Sequence, residues 1–460
     1  MLNSTPPPIV GDVARFRWRG EVIFSIVIIA VGVTAGLGGM LLALLLHRIQ
    51  HVAYGYDFGA IVTPESFLQG VTAASPIRRV LVLTLCGAVA GLGWWAVYRF
   101  GRPLVSVKQA VGKAEPGPRM PALTTVAHAL LQIVTVALGS PLGREVAPRE
   151  IGALLATWLS SGVSLSAEET RIAIACGAGA GLAAVYNVPL GGAMFVLEVL
   201  LCTTAPKAAV AALITSVIAS TIAWIGLGDV SPYTVPPLEI SLPLIVASIV
   251  AGPVFGLAAY VFRVITRLAT TRVRHDWKMV PRSLAVFLVI GLVATQFPQV
   301  PGNGKGPSQL DFDGDLSGGL VAGLLVLKLL AVAASLRVGA AGGVLTPSLT
   351  LGALLATALC PVVALVFPDI SRAGFAIVGA AAFLASSMNM PFTAILLTLE
   401  FTRVSHDFCV PILLAVAGSI ATARVCSGLA SQPVPPHRFH SEDLSTGASP
   451  DHTGRQENAT

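Results

Sequence analysis

Long apolar runs alternate with short polar breaks along almost the whole chain. Runs at 22–46, 80–98, 122–138, 208–227, 242–262, 284–297, 318–338 and 409–428 predict helices, most of them long enough to cross a bilayer. Two clusters read differently. Residues 140–161, 172–186 and 189–204, and again 341–359, 374–388 and 391–404, are apolar but cut by Gly and Pro, too short or interrupted to span alone. Between the clusters, 228–241 carries Gly228, Asp229, Pro232, Pro236 and Pro237 and predicts a linker. The pattern divides the chain into a polar segment 1–20, a first membrane repeat 21–227, the linker, a second repeat 242–428, and a polar tail 429–460 expected to be disordered.

The broken clusters echo each other. Gly139-Ser140-Pro141-Leu142-Gly143-Arg144-Glu145-Val146-Ala147-Pro148 returns about 200 residues later as Gly339-Ala340-Ala341-Gly342-Gly343-Val344-Leu345-Thr346-Pro347. Each has a Gly five residues before a Pro, and Gly-Ala-Leu-Leu-Ala follows at 152–156 and 352–356. Asn187-Val188-Pro189-Leu190 reaches Glu198 eleven residues after the Asn, and Asn389-Met390-Pro391-Phe392 reaches Glu400 at the same spacing. Two motifs recurring at nearly one offset make two structural halves. Gly/Pro-broken segments at matching positions of two membrane repeats point to a transport site between them.

Composition fixes the class. Of 460 residues, 54% are hydrophobic and only 11% charged, too few charges to cover a water-soluble protein of this size. The chain reads as an all-α polytopic membrane protein. Its net charge of +6 belongs to loops rather than to a nucleic-acid surface: no basic stripe carries interleaved aromatics. Arg15, Arg17 and Arg19 before the first helix, and Arg263, Arg267, Arg272, Arg274, Lys278 and Arg282 after the run at 242–262, favour the cytoplasmic side. The six cysteines lie in or beside apolar runs without a CxxC pair, so neither a disulfide framework nor a zinc site is supported, and they read as small core residues. No metal or cofactor fingerprint is present.

Glu145 is the sharpest chemical signal. An ionised group at membrane depth costs roughly 2.5–3.5 kcal/mol on insertion scales, so such a residue faces a pathway or a partner. Gly143 and Pro148 flank it as they would at a broken helix start, where backbone amides suit an anion. A carboxylate there could occupy an anion's place and leave it when protonated or displaced. The competing reading is an ion pair among Arg144, Glu145, Arg149 and Glu150. The uncharged Gly342–Pro347 loop offers only backbone, with Val344 and Leu345 amides at a helix start. Glu198 and Glu400 read either as proton donors and acceptors or as hydrogen-bond partners of the Asn-Pro turn of the other half. His128, Lys328 and Arg337 read as lone ionisable groups that are satisfied locally or snorkel. Gly162-Val163-Ser164 resembles the nucleophile triplet of an intramembrane protease, but no membrane-embedded His with a partner accompanies it, so catalysis is not expected.

At these residues the chain resembles the CLC chloride channels and proton/chloride antiporters. Gly143-Arg144-Glu145 is similar to the family's Gly-Arg/Lys-Glu-Gly-Pro motif, Gly342–Pro347 to Gly-Gly-x-Phe-x-Pro, and Ala183–Leu190 to Ala-Ala-x-Phe-Asn-Ala-Pro. The resemblance runs from about residue 20 to 428. It implies inverted repeats of tilted, broken helices, a homodimer in the cell's inner membrane, and one pathway per subunit for chloride or a similar small anion. By it Glu145 is the gate, Gly143, Arg144 and Val146 line the outer anion site, and Val344 and Leu345 line the central one. Glu198 stands on the proton pathway.

Four departures accompany the likeness. The family's Gly-Ser-Gly-Ile-Pro loop is represented only by Ser106 within Pro103–Lys108, and the Gly-Pro after the gate is Val146-Ala147. No Tyr follows Tyr260 to close the central site, and Val199 stands where proton-coupled members often carry an acid. A channel and a proton antiporter both stay open, Val199 tilting toward weak coupling. The alternative of another class is a non-conducting membrane scaffold.

Overall fold

The computed structural model describes residues 10–55, 66–112, 119–271, 273–316 and 318–431, with backbone alone at 10–17 and 430–431; the tail from 432 lies outside them. Seventeen α-helices and no strand are present among these residues. The first half contains α1 (Val10–Tyr54), α2 (Phe67–Ala73), α3 (Pro76–Phe100), α4 (Val107–Ala110), α5 (Ala122–Ala137), α6 (Val146–Ser161), α7 (Ala167–Tyr186), α8 (Pro189–Phe195, continued by a π-helical turn to Leu201) and α9 (Pro206–Leu227). The second contains α10 (Leu242–Thr271), α11 (Met279–Gln296), α12 (Lys305–Asp313), α13 (Gly318–Arg337), α14 (Leu345–Ala364), α15 (Arg372–Met388), α16 (Pro391–Thr402) and α17 (Cys409–Ser431). Eight described helices are long and apolar enough to cross a membrane, whereas α5, α15 and α16 are shorter. Helix α1 starts at Val10, earlier than the apolar pattern alone indicates, because helical backbone continues through the polar residues before Val22.

The breaks fall where sequence chemistry puts them. Asn187 and Asn389 adopt left-handed φ of 56° and 52°, ending α7 and α15, and Pro189 and Pro391 open α8 and α16 as first-turn prolines. Ser166 and Glu169 start α7 with a capping box, each side chain bonding the other's amide.

Glycines set how closely the helices approach. A Cβ on Gly152 of α6 would lie 2.0 Å from the carbonyl oxygen of Gly177 on α7, and one on Gly352 of α14 2.4 Å from that of Gly379 on α15. Gly177 and Gly181 therefore serve packing inside the subunit, and Gly32 and Gly36 of α1 do the same against α9. Gly177→Ala is expected to cost about 1–3 kcal/mol by forcing α6 and α7 apart. A fall of several degrees in the melting temperature of detergent-solubilised protein, absent in Gly323→Ala where space is open, checks this.

One face of the domain collects the ends of α1, α7 and α9, where Lys207 pairs with Glu169 at 2.7 Å and Glu21 at 3.0 Å. The basic loop after α10 lies on the same face: His275 stacks at 4.0 Å on Tyr98 at the end of α3, and Arg171 of α7 bonds the Val111 carbonyl just beyond α4. On the other face exposed Asp229 accepts a bond from Asn187 at 2.7 Å and pairs with Arg403, which together hold its carboxyl below the usual carboxylate range. That tie between α7, the linker and α16 is present at neutral pH and lost as acid protonates Asp229. Buried cysteines 86, 176 and 360 are core residues as expected, while Cys202 is exposed.

Candidate functional site

The two echoing loops meet. Helix α5 closes on Gly139 (φ +104°), whose amide and that of Ser140 bond the carbonyls of Val136 and Thr135; α13 closes the same way on Gly339 (φ +89°) with Ala340. Each chain then turns back toward the middle. Gly143 N–H donates to the Gly343 carbonyl at 2.7 Å and Gly343 N–H to the Gly143 carbonyl at 2.9 Å, an antiparallel bridge between equivalent residues of the two halves. Helices α6 and α14 start just beyond it, so two sets of first-turn amides, which no helix can satisfy internally, lie beside one point.

Glu145 fills that point. Its side chain is fully buried, with Oε1 accepting the Leu345 N–H at 2.7 Å and Oε2 accepting the Tyr186 hydroxyl at 3.2 Å. Thr346 Oγ1 lies 3.1 Å from the same hydroxyl, so a chain of polar groups runs from the carboxylate to α14. The carboxylate rests on the two bridge glycines: a Cβ on Gly343 would lie 1.9 Å from Oε1 and one on Gly143 2.0 Å from Oε2. Gly143 thus gives the site room rather than a donor, since its amide goes to Gly343.

The ion-pair reading of Glu145 does not match the geometry: no cation lies within 4.0 Å of its carboxylate among the described residues. Arg149 Nε instead donates to the Glu145 carbonyl at 2.7 Å and its guanidinium covers Phe195. Arg144 stacks on Tyr186 at 5.1 Å and reaches the Val185 carbonyl. With His47, Tyr233 and Lys305 it lines a cavity of about 790 Å³ whose walls also include Tyr186 and Thr346. Val146 opens α6 and Val344 precedes α14.

Glu198 and Glu400 are exchanged between halves. Glu198 accepts the Phe392 and Thr393 amides, at 3.1 and 2.7 Å, and the Thr393 hydroxyl at 2.6 Å; Glu400 accepts the Leu190 and Gly191 amides at 2.9 and 2.7 Å. Each caps the Asn-Pro helix start of the other repeat. Ser106 stands apart. It is exposed, and its hydroxyl and amide form a capping box with Gln109, with no bond to Glu145 or Leu345. Lys328 donates to the carbonyls of Val300 and Gly302, a local satisfaction. Arg337 lines a second cavity with Arg274 and Arg282. His128 is not lone: Glu150 of α6 lies 2.9 Å from its ring. Sequence reading also missed Tyr186, whose signal was a hydroxyl at the aromatic place of the Ala-Ala-x-aromatic-Asn segment.

Comparison with known proteins agrees with this architecture. The family model described as voltage gated chloride channel matches residues 86–424. A ClcB-like protein of Ralstonia nicotianae is 28% identical over 82% of this chain and 88% of its own length. A voltage-gated ClC-type chloride channel, ClcB, of Escherichia coli is 28% identical over 73% of this chain and 82% of its own. Among solved structures, a slow cyanobacterial Cl−/H+ antiporter aligns with a TM-score of 0.76 at 20% identity, covering 88% of this chain and 95% of that one. A CLC-type fluoride/proton antiporter aligns at 0.63 and 19% identity, covering 88% and 96%.

Proposed function

Because this chain belongs to the voltage gated chloride channel family, we propose that it carries chloride or a similar small anion across a membrane through a pathway gated by Glu145. The observation that carries this reading is the buried carboxylate on the Leu345 amide and the Tyr186 hydroxyl. A carboxylate oxygen there stands in for a transported anion. The donors are neutral, so an ion gains enough to enter and remains able to leave. Anions reach the site through the cavity holding Arg144 and Lys305, whose charges raise their local concentration.

In this reading Val146, Val344 and Leu345 supply amides, Arg144 draws the ion inward, and Ser106 belongs to the opposite approach, while Glu198 is held in its cap on α16. Protons compete for Glu145, because a protonated carboxyl binds the amide more weakly and yields its place. Anion exchange for protons then needs only that Glu145 exchange protons with one side at a time. A second copy covers the apolar face bearing Leu190, Ile214, Val217, Phe392 and Leu413, giving a homodimer with one pathway per subunit. In this reading the basic face of the domain lies in the cytoplasm and the membrane is the cell's inner one.

The test is chloride efflux from proteoliposomes of the purified protein, with simultaneous recording of external pH. Efflux above that of empty vesicles supports transport, and proton movement against the chloride gradient marks an antiporter. If well-folded protein passes no chloride, nitrate or fluoride, the proposal fails and a non-conducting scaffold takes its place.

A further inference from the structure

One buried cluster has no part in the anion site. His128 on α5, Gln132 one turn along, and Glu150 on α6 close a triangle. His128 Nδ1 lies 2.9 Å from Glu150 Oε2, and Gln132 Nε2 lies 2.9 Å from that nitrogen and 3.1 Å from that oxygen. The three are 7%, 8% and 0% exposed for His128, Glu150 and Gln132. Two titratable groups inside a membrane domain are costly and are kept where they do something.

A ring nitrogen and a carboxyl oxygen 2.9 Å apart cannot both present lone pairs, so one proton lies between them on one atom or the other. The pair is then singly negative, and a second proton on the ring converts it to a neutral imidazolium–carboxylate pair. Beside it Trp94 packs edge-on against His128, and Trp94 Nε1 and Gln132 Oε1 are buried without a hydrogen-bond partner. An unpartnered donor and acceptor next to a titratable pair suit a water molecule, the usual carrier of a proton.

The pair also lies between the basic face and the gate. His275, exposed on that face, contacts Tyr98, and Trp94 is one turn deeper on the same helix. On the other side Glu150 is five residues beyond Glu145 on α6, about 7.5 Å along the axis, and Arg149 between them holds the Glu145 carbonyl.

Resting on the reading of Glu145 as the gate, we propose that His128 and Glu150 form a proton-loading site, filled from the basic face and discharged to Glu145. A proton from solution binds the ring and makes the pair neutral. It then passes through water to the Glu145 carboxylate, which becomes a carboxylic acid and loosens from Leu345, and the pair returns to its singly negative state. Nothing else is consumed. Among the described residues, the charged and titratable groups around the pair include Tyr98 from α3, and Arg149 and, beyond it, Glu145 from α6, while the Arg102 amide bonds Thr124 at the start of α5. Leu42 and Leu46 of α1 pack with Ala129, Ile133, Val136 and Ala137 of α5 in one apolar cluster.

The experiment is chloride efflux with external pH recording in proteoliposomes of the full chain, comparing the unaltered protein with Glu150→Gln and His128→Asn. Chloride-driven proton movement is expected to fall about tenfold or more in both, while chloride efflux stays near the unaltered level. The pH dependence of proton movement flattens in His128→Asn, which a merely structural histidine would not cause. If one variant does not give monodisperse protein, the other carries the test. Proton movement retained in the variants overturns the proposal, as does chloride efflux without proton movement in the unaltered protein; both leave the transport reading standing. Absence of efflux from every protein defeats the transport reading, and this proposal with it.

Discussion

Glu145→Ala is expected to bind chloride roughly 30-fold more tightly than the unaltered protein, to pass it at a rate independent of pH, and to move no protons. In the unaltered protein an entering anion must first displace the carboxylate from the Leu345 amide. A hydrogen bond to a charged group contributes about 1.5–3 kcal/mol, and the positive end of α14 adds to it. Removing that competitor returns about 2 kcal/mol to the anion, which is about 30-fold in the dissociation constant. The sign of the pH effect follows. Protons weaken the carboxylate's hold, so flux through the unaltered protein rises as pH falls, and alanine, having nothing to protonate, flattens the profile. Calorimetric chloride titration and efflux between acid and neutral pH measure both. An unchanged chloride affinity would mean that the carboxylate does not sit in the anion's place.

Much of this arrangement was legible because breaks in a helix have local causes. The Gly-Pro interruptions, the left-handed Asn187 and Asn389, and the repetition of both at nearly one offset required no knowledge of the fold. Glu145 stood out because a charge in an apolar run has few tolerable environments. What the sequence concealed depends on groups distant along the chain. The hydroxyl of Tyr186 lies 41 residues from Glu145, too far along the chain for spacing to join the two. His128 and Glu150 are 22 residues apart on different helices, so His128 looks lone and Glu150 pairs only with its chain neighbours until α5 packs on α6. Gly143 was expected to line the outer anion site, but its amide bonds the matching glycine of the other repeat, a pairing that exists only once the halves assemble.

That pairing also explains why the two halves behave as one body. The glycine bridge at the centre and the exchange of Glu198 and Glu400 at the Asn-Pro turns are all made between repeats. Polar backbone groups that would be orphaned in a lone half are satisfied by the other, and in an apolar medium such a debt is large.

Gly343→Ala is expected to close the site to every occupant, lowering chloride efflux about tenfold or more even where Glu145 has been removed. Neither bridge glycine needs a left-handed φ, so alanine is permitted by the backbone. The obstacle is space. The new methyl would lie 1.9 Å from the present position of Glu145 Oε1 and 2.1 Å from its Cδ, squarely in the volume the carboxylate holds. The loop cannot retreat easily, because Gly343 is fixed by two hydrogen bonds to Gly143 at 2.7 and 2.9 Å. Overfilling a packed site costs about 1–3 kcal/mol, and chloride, larger than a carboxylate oxygen, has less freedom to avoid the methyl. A double-mutant cycle decides whether anion and carboxylate share one place. If they do, Gly343→Ala cancels the tighter chloride binding of Glu145→Ala, and Gly143→Ala, whose methyl would lie 2.0 Å from Oε2, acts in the same direction. If the double variant binds chloride as tightly as Glu145→Ala alone, the anion lies elsewhere, and Glu145 acts on it at a distance rather than by occupying its position.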